Sequence, residues 1–275
     1  MLSYKHGYHA GNYADVLKHI VLIYLYFSLK KHNNSITYID THSGSGIYKY
    51  TSKYMDKNKE YKYGIKKIQK YVGKNKLIIN YLKILNKINK KNNFYPGSPY
   101  IVSKISRNTD KIFLCELHNN EFEKLKNNLK NFTNTKILKL NGFDFINHFE
   151  LKKYNLILID PSYELKEDYD YIIDILSELD KKFQNSKIII WYPILSFKEN
   201  DLFIEKIRKM GHKNLLNLEL PIHLDDEKKE MKGSGLLIYN FNNRNIFYDL
   251  KILIKDIHNL LKQDEDVYKP KIRYL

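Results

Sequence analysis

The sequence predicts an α/β domain with a seven-stranded, mostly parallel sheet and a small helical insertion. Seven short β-type runs recur along the 275 residues, and helical patterns separate the early ones. Near-continuous apolar strands that alternate with helices are typical of a parallel sheet covered on both faces. The last two runs are joined by a charged link without a helix, so we expect a hairpin there and one antiparallel strand at the edge of the sheet.

The elements follow one another in a regular order. A helical pattern over residues 14–32 ends in Lys and His, which favour the C-terminus of a helix, and it precedes the first strand, SITYID. Two further helices are expected over residues 118–132 and 169–183. The later strands are KIFLCEL, KILKLNG, LILIDPS, KIIIWYP, NLLNLELPIH and GSGLLIYNF. In an open sheet of this kind, ligands bind beyond the carboxyl ends of the strands.

The crossover between the first and second strands is too long for one helix. Residues 48–93 hold fourteen Lys, seven Tyr and two acidic residues, a net charge of +12 that leaves +4 for the rest of the chain. Lysines neutralise phosphates and tyrosines stack on bases, so the segment favours nucleic-acid binding. A solvated, lysine-rich helical surface is the alternative. We predict one domain, residues 1–47 and 94–275, interrupted by a basic helical insertion over 48–93. Within the insertion, residues 63–72 and 77–91 have helical patterns.

Composition excludes several classes of protein. The single cysteine, Cys115, cannot form an internal disulfide and fits a reducing cytosol. The longest apolar run, IVLIYLYF, is too short to span a bilayer, and the N-terminus has no secretory h-region. The histidines are too irregularly spaced for a metal site. We therefore expect a cytoplasmic protein without a membrane segment or a metal.

Polar residues gather at the predicted strand ends. Asp40 and His42 follow the first strand, Glu116 the second, Asp144 the third and Asp160 the fourth. Glu116 is placed to accept both hydroxyls of a ribose, and Asp144 to accept from an adenine amino group. Any one of these carboxylates could be a strand-end cap, but four in succession indicate a shared ligand. The pattern predicts an adenosine-bearing cofactor beside a second, planar substrate.

The fourth strand runs into Asp160-Pro161-Ser162-Tyr163. Asp160 and the carbonyl of Pro161 could accept the two N–H groups of an exocyclic amine, while Tyr163 stacks on its ring. The amine would then attack a sulfonium methyl, with positioning and electrostatics supplying the catalysis. A strand-end turn with a core tyrosine is the alternative. A nicotinamide dehydrogenase is disfavoured, because no acid or base for hydride transfer stands near.

The segments SYKHGYHAGNYADVLKH, YIDTHSGSGIY, YPGSP, LCELH, NGFDF, IDPSYE, WYPI and KGSGLLIYN together resemble the RlmJ family, the adenine-2030 N6-methyltransferases of 23S ribosomal RNA. The resemblance runs from Ser3 to about Asn240. It implies a Rossmann-like class I methyltransferase fold and S-adenosylmethionine as the cofactor. It also implies 23S rRNA as the partner. We expect rRNA free of ribosomal proteins, with an assembled precursor particle as the alternative, and we expect a monomer.

The resemblance further implies roles for individual residues. Tyr4 and His6 would face the target adenine, and Asp160 would act in catalysis as well as beside the cofactor. The cofactor contacts would be Lys18, His19, His42, Gly44, Ser98, Glu116, Gly142, Phe143, Asp144 and Asp160.

One departure from the family is clear. The family has Asp-Pro-Pro-Tyr, and this chain has Ser162 at the second proline, which frees one φ angle and adds an N–H and a hydroxyl. We expect looser geometry and retained activity.

Two other functions stay open at this stage. One is a DNA adenine-N6 methyltransferase, although no separate target-recognition domain is visible. The other is an RNA-binding protein whose transferase site has decayed.

Overall fold

The computed structural model describes residues 6–149, 155–164, 167–225 and 231–275. Within these ranges the strands are β1 (Thr37–Asp40), β2 (Ile47–Lys49), β3 (Phe94–Pro96), β4 (Lys111–Cys115), β5 (Thr135–Leu138), β6 (Asn155–Ile159), β7 (Ser186–Ile194), β8 (Leu215–Pro221), β9 (Gly233–Tyr239) and β10 (Lys271–Tyr274).

The α-helices are α1 (Tyr13–Lys30), α2 (Lys53–Asn58), α3 (Ile65–Ile68), α4 (Lys76–Ile88), α5 (Ser98–Ile105), α6 (Asn119–Leu129), α7 (Gly142–His148), α8 (Glu167–Ser177), α9 (Phe197–Arg208) and α10 (Arg244–Leu261). Two short 3₁₀ helices span His6–Tyr8 and Glu60–Lys62. Among the residues described here, no helix is both long and apolar enough to cross a membrane.

The central sheet has the strand order β5-β4-β1-β6-β7-β9-β8-β10. The strands from β5 to β7 are parallel, and β9 pairs antiparallel with both β7 and β8. This mixed architecture with a mostly parallel sheet confirms the predicted fold class. The order places the carboxyl ends of β1, β4, β5 and β6 next to one another on the same side of the sheet.

The antiparallel end of the sheet differs in detail from the expectation. The hairpin strand β9 is buried along all seven residues, because it lies between β7 and β8 and not at the edge. The edge is formed by β10, an eighth strand that pairs antiparallel with β8. Its sequence, KIRY, is short and charged, as edge strands often are, and so lacks the apolar run that marks the other strands.

Helices cover both faces of the sheet, which explains why its strands are apolar without alternation. Along β6, Leu156 and Leu158 pack on the side of α1, α5 and α10, while Ile157 and Ile159 pack on the side of α7, α8 and α9. The two faces therefore form two separate cores, and α1, which carries the N-terminal polar residues, lies against the first of them.

The insertion begins and ends at a small two-stranded sheet made by β2 and β3. The helix expected over residues 63–72 shrinks to the four residues of α3, because the chain must turn to start α4. That start is marked by Asn75, whose side chain accepts hydrogen bonds from the N–H groups of Leu77 and Ile78.

Candidate active site

Two cavities open at the carboxyl ends of the parallel strands, where β1 and β6 lie side by side. One, of about 430 Å³, lies near β1, β4 and α7, and we call it the first cavity. The other, of about 680 Å³, lies near α1 and the end of β7, and we call it the second cavity. Both volumes are typical of small-molecule sites. The cavities share four lining residues, which we call the junction: His6, Lys18, Asp160 and Ser162.

The loop after β1 and the residue after β4 form one wall of the first cavity. Glu116 accepts hydrogen bonds from the N–H of Gly44, at 2.8 Å, and from the N–H of His118, at 2.7 Å. Burial raises the pKa of Glu116. Gly44 has a φ of +59°, and a Cβ there would lie 2.2 Å from the Tyr48 hydroxyl, so only glycine fits this turn.

An aromatic wall faces Glu116 across the first cavity. Phe143 stacks on Tyr171, with ring centroids 4.9 Å apart and planes at 19°, and it meets the ring of His42 edge-on at 4.9 Å. Asn141 caps α7 by accepting from the N–H of Phe143 at 2.8 Å. Gly142 lies so close to the β1 loop that a Cβ would be 2.1 Å from the carbonyl oxygen of Thr41. The wall can therefore take a flat ring.

Behind the β1 loop lies a buried carboxylate. Asp40 accepts hydrogen bonds from the hydroxyls of Tyr38, at 2.9 Å, and Ser98, at 2.7 Å. Burial raises the pKa of Asp40 to about 6. Ser98 lines the first cavity, yet its hydroxyl is already donated to Asp40, so it fixes the loop as well as bordering the ligand space.

Two of the histidines that line the first cavity, His19 and His42, are neutral at neutral pH. Burial lowers the pKa of His19 and of His42 to about 3. The Nδ1 atom of His19 lies 2.7 Å from the Tyr95 hydroxyl, and that of His42 lies 2.8 Å from the hydroxyl of Thr41. Both rings are thus held by a neighbour and add no charge to the cavity wall at neutral pH.

A row of alternating charges leads to the junction. The Nε2 atom of His6 lies 3.0 Å from Asp15, and Asp15 lies 3.0 Å from the ammonium of Lys18, which also pairs with Asp160. Burial alone would lower the pKa of Lys18, but the carboxylates of Asp160 and Asp15 raise it. Burial alone would raise the pKa of Asp15, yet His6 and Lys18 hold it well below its usual range. Lys18 is therefore a permanent cation between two carboxylates.

Asp160 ends β6 and lies at the centre of this arrangement. Lys18 donates to its Oδ2 atom, while Oδ1 accepts no hydrogen bond from any residue that the structure describes. The next residue, Pro161, is buried and borders neither cavity, and Ser162 borders both. One oxygen of Asp160 is thus pinned by a cation and the other is available to a ligand.

The second cavity carries the aromatic residues that follow Asp160. Tyr163 has a φ of +53°, a conformation uncommon for a side chain of this size, and its hydroxyl donates to the carbonyl oxygen of Trp191 at 2.7 Å. Its ring packs against Tyr169 at 4.6 Å and edge-on against Trp191 at 5.6 Å. Tyr163 is partly buried but still lines the second cavity, as do Trp191 and Pro193.

Three distant parts of the chain close most of the rest of the second cavity, and Gln263, after α10, also lines it. The N-terminal segment contributes residues from His6 to Lys18, the insertion contributes Asn58, Glu60 and Tyr63, and the turn between β8 and β9 contributes His223 and Met231. The Tyr13 hydroxyl donates to the carbonyl oxygen of Met231 at 2.9 Å and joins the first of these parts to the third.

Most of the predicted site residues come together. The first cavity is lined by Lys18, His19, His42, Gly44, Ser98, Glu116, Gly142, Phe143 and Asp160. His6 reaches the junction, and Tyr163 the second cavity. Tyr4 lies outside the described residues.

Asp144 is not brought to either cavity. It is exposed in the first turn of α7, because Phe143 and Ile146 take the inward positions of that helix. The residue at the cavity wall is Asn141, three positions earlier.

Sequence reasoning missed several lining residues. Asn141 could have been found as a helix cap before an apolar turn, but Tyr171 on α8 and His9, Asn12 and Glu60 carry no strand-end signal.

Cys115 is fully buried in β4, and burial raises the pKa of its thiol to about 12, which leaves it unreactive.

The chain matches known proteins over most of its length. Residues 33–264 match the family described as ribosomal RNA large subunit methyltransferase D, RlmJ. Two proteins called ribosomal RNA large subunit methyltransferase J are similar over 87% of both chains: that of Haemophilus influenzae is 36% identical and that of Escherichia coli is 32% identical. A crystal structure of a Legionella pneumophila protein is 30% identical, covers 96% of this chain and 98% of its own, and superposes with a TM-score of 0.84.

Proposed function

This chain belongs to the RlmJ family of ribosomal RNA large subunit methyltransferases, and from that premise we propose that it methylates the N6 amine of one adenine in 23S rRNA, with S-adenosylmethionine as the methyl donor. The observation that carries the proposal is the pair of cavities that meet at Asp160. A transfer between two bound molecules needs two adjoining sites and a polar group at their boundary, and this chain has both.

The first cavity suits the methyl donor. Glu116 follows β4 with a partly buried carboxylate that can accept hydrogen bonds from the ribose hydroxyls, and the wall of Phe143, Tyr171 and His42 can take the adenine ring. Gly44 and Gly142 let the β1 loop and the start of α7 pack against Tyr48 and Thr41, where a Cβ would not fit, and so fix the shape of this cavity. When bound, S-adenosylmethionine supplies a methyl group on a positively charged sulfur. Asp144 has no part in this site.

The second cavity suits a target base taken out of its stack. Tyr163 and Trp191 present aromatic surface to it, and both are held in place by hydrogen bonds, Trp191 through Ser234 at 2.9 Å. A flat base that enters beside them would bring its exocyclic amine toward the junction. The predicted role of the Pro161 carbonyl as a second acceptor stays part of the proposal, but because Pro161 borders neither cavity, that role requires the turn after β6 to shift when the base binds.

Asp160 is the group that acts on the amine. The lone pair of an adenine amine is delocalised into the ring, and acceptance of an N–H by Asp160 Oδ1 helps to localise it. Methylation leaves a positive charge on that nitrogen. The carboxylate of Asp160 stabilises this charge and can then accept a proton from the methylated nitrogen. Lys18 orients the carboxylate by donating a hydrogen bond to the other oxygen. The chain needs no nucleophile of its own in this reaction.

The insertion is proposed to bind the RNA around the target. Its lysines lie beside tyrosines, as where the ammonium of Lys66 lies 4.7 Å from the ring centre of Tyr50 and that of Lys57 lies 5.6 Å from the ring centre of Tyr8. Phosphates and unstacked bases would find cations and aromatic surfaces on the same face. We propose that the partner is protein-free 23S rRNA and that the chain acts as a monomer.

Incubation of the purified protein with methyl-labelled S-adenosylmethionine and protein-free 23S rRNA, followed by nucleoside analysis, tests the proposal. We expect N6-methyladenosine at one position, adenine 2030. Duplex DNA and an rRNA already methylated at that adenine are the controls, and neither should take up label. Label in DNA alone, or in another nucleoside of the rRNA, would refute the proposal. Binding of RNA without binding of the methyl donor would indicate a decayed site.

A further inference from the structure

The two acidic residues of the insertion have different surroundings. Asp56 is exposed and pairs at 3.2 Å with Lys59, the residue that caps the end of α2. Glu60 pairs with no lysine among the described residues, although lysines surround it in sequence. Its Oε1 atom lies 2.8 Å from Nδ1 of His9, and its Oε2 atom accepts from the Asn12 amide at 3.0 Å. Both oxygens are therefore directed to the N-terminal segment.

The backbone at this contact is packed without spare room. The N–H of Ile65 donates to the carbonyl oxygen of Gly11 at 2.8 Å. A Cβ on Gly64 would lie 2.2 Å from that same oxygen, so the start of α3 lies directly against the N-terminal segment. Glu60 thus belongs to a closely fitted contact between the insertion and the segment that precedes α1.

This contact is connected to the junction by hydrogen bonds and ion pairs. Asn12, which donates to Glu60, also caps α1 by accepting from the N–H of Asp15 at 3.0 Å. Asp15 pairs with Lys18, and Lys18 pairs with Asp160. His9, Asn12 and Glu60 all line the second cavity. The insertion is therefore joined to the reacting carboxylate through the wall of the cavity itself.

We propose that Glu60 is a positioning residue that ties the RNA-binding insertion to the second cavity, so that RNA held by the insertion presents its adenine to Asp160. The inference rests on the proposed function. Glu60 touches no reacting atom. It holds His9 and Asn12 in place. It thereby fixes the position of the lysine-rich insertion relative to the opening of the second cavity.

Glu60→Gln and Asp56→Asn are a matched pair, because each removes one negative charge from the same insertion with little change in shape. By electrostatics alone, either change would tighten RNA binding slightly. The proposal expects different results. Asp56→Asn should keep the wild-type rate, whereas Glu60→Gln should lower kcat about 3- to 10-fold and Glu60→Ala about 10- to 100-fold, as misplaced reactants do. The RNA dissociation constant of the Glu60 variants should not rise.

Methyl donor affinity and thermal unfolding serve as checks that the fold and the first cavity are intact. If Glu60→Ala does not fold, the comparison of Glu60→Gln with Asp56→Asn still decides. Equal methylation rates for those two variants overturn the inference while the proposed function stands. A loss that appears only as weaker RNA binding, with kcat unchanged, also overturns it. Failure of the proposed function looks different, because the wild-type protein would then transfer no methyl group to RNA, and both proposals would fall.

Discussion

The first and second cavities are assembled in different ways. Most residues of the first follow β1, β4, β5 or β6 or lie at the starts of α5, α7 and α8, with His6, Lys18 and His19 added from the N-terminal part of the chain. The second combines the N-terminal segment, the insertion, the end of β7 and the turn between β8 and β9, which are up to about 220 positions apart in sequence. Only the junction belongs to both.

The first cavity follows from the fold, whereas the second depends on contacts that the fold alone does not provide. A parallel sheet places its strand ends together in any protein of this architecture, so the first cavity follows from the fold. The second cavity requires contacts between segments that the sheet does not bring together, such as that of Glu60 with Asn12. We infer that donor binding depends on the first group of residues and that the choice of RNA depends on the second.

The largest effect is expected at the residue that the cavities share. Asp160→Asn keeps the size of the side chain but removes the charge that stabilises the methylated amine. We expect methyl transfer to fall by about 10³-fold or more, while donor affinity changes less than about 3-fold. Lys18 stays paired with Asp15, so the protein should fold. Rate measurements and donor titration of the same sample test this, and substantial activity would disprove the role of Asp160.

A smaller effect confined to the first cavity is expected from Glu116→Gln. Loss of a charge-assisted hydrogen bond to the donor should weaken its binding about 10- to 100-fold. Affinity for RNA and the rate at saturating donor should stay near the wild-type values. Separate titrations with S-adenosylmethionine and with RNA test the division between the cavities. Equal losses in both titrations would show that the two cavities are not independent.

His42 of the first cavity and His6 of the junction should respond to pH with opposite signs. Burial lowers the pKa of His42 to about 3, so the folded protein holds this ring neutral. Its contribution to the free energy of unfolding is therefore complete above pH 6.5 and is lost as the pH falls, because the unfolded chain takes up the proton first. Burial alone would lower the pKa of His6, but Asp15 raises it above 6.5, so the stability from its charged form is present below pH 6.5 and is lost as the pH rises through the raised pKa.

Urea unfolding at about pH 5 and about pH 8 measures this contrast. His42→Asn should cost more stability at the higher pH, and His6→Asn should cost more at the lower pH. The same pH trend for both variants would contradict the assignment.

The smallest effect is expected from Ser162→Pro, which restores the proline found in the family. Ser162 borders both cavities, but Asp160 and Pro161 remain in place beside it. Activity should change less than about 3-fold, and the stiffer turn should leave stability equal or raise it by about 0.4–1 kcal/mol. A gain in rate of 100-fold or more would instead show that Ser162 marks a weakened enzyme.

The sequence predicted much of the fold and most of the first cavity. Apolar strands alternating with helices define the parallel part of the sheet, and Asp40, Glu116 and Asp160 stand where strand-end rules place them. Asp144 borders neither cavity, because it lies in the first turn of α7 and the rotation of that helix directs Phe143 and Ile146 inward instead. The charged strand β10 has no apolar pattern to reveal it.

The second cavity was predicted only in part. Tyr163 follows a recognisable strand end, and His6 came from the resemblance. The contacts of His9, Asn12 and Glu60 span about 50 positions and depend on how the insertion folds back, which no local pattern records. The charge of the insertion was visible in the sequence, but its place in the wall of the cavity was not.

The central claim is that donor and target base occupy separate cavities that converge on Asp160. A crystal structure of the protein with S-adenosylhomocysteine and an RNA oligonucleotide that contains the target adenine tests it most directly. We predict the donor product in the first cavity and the adenine beside Tyr163 in the second, with its N6 atom within hydrogen-bond distance of Asp160 Oδ1. An adenine bound elsewhere, or with N6 directed away from Asp160, would contradict the account.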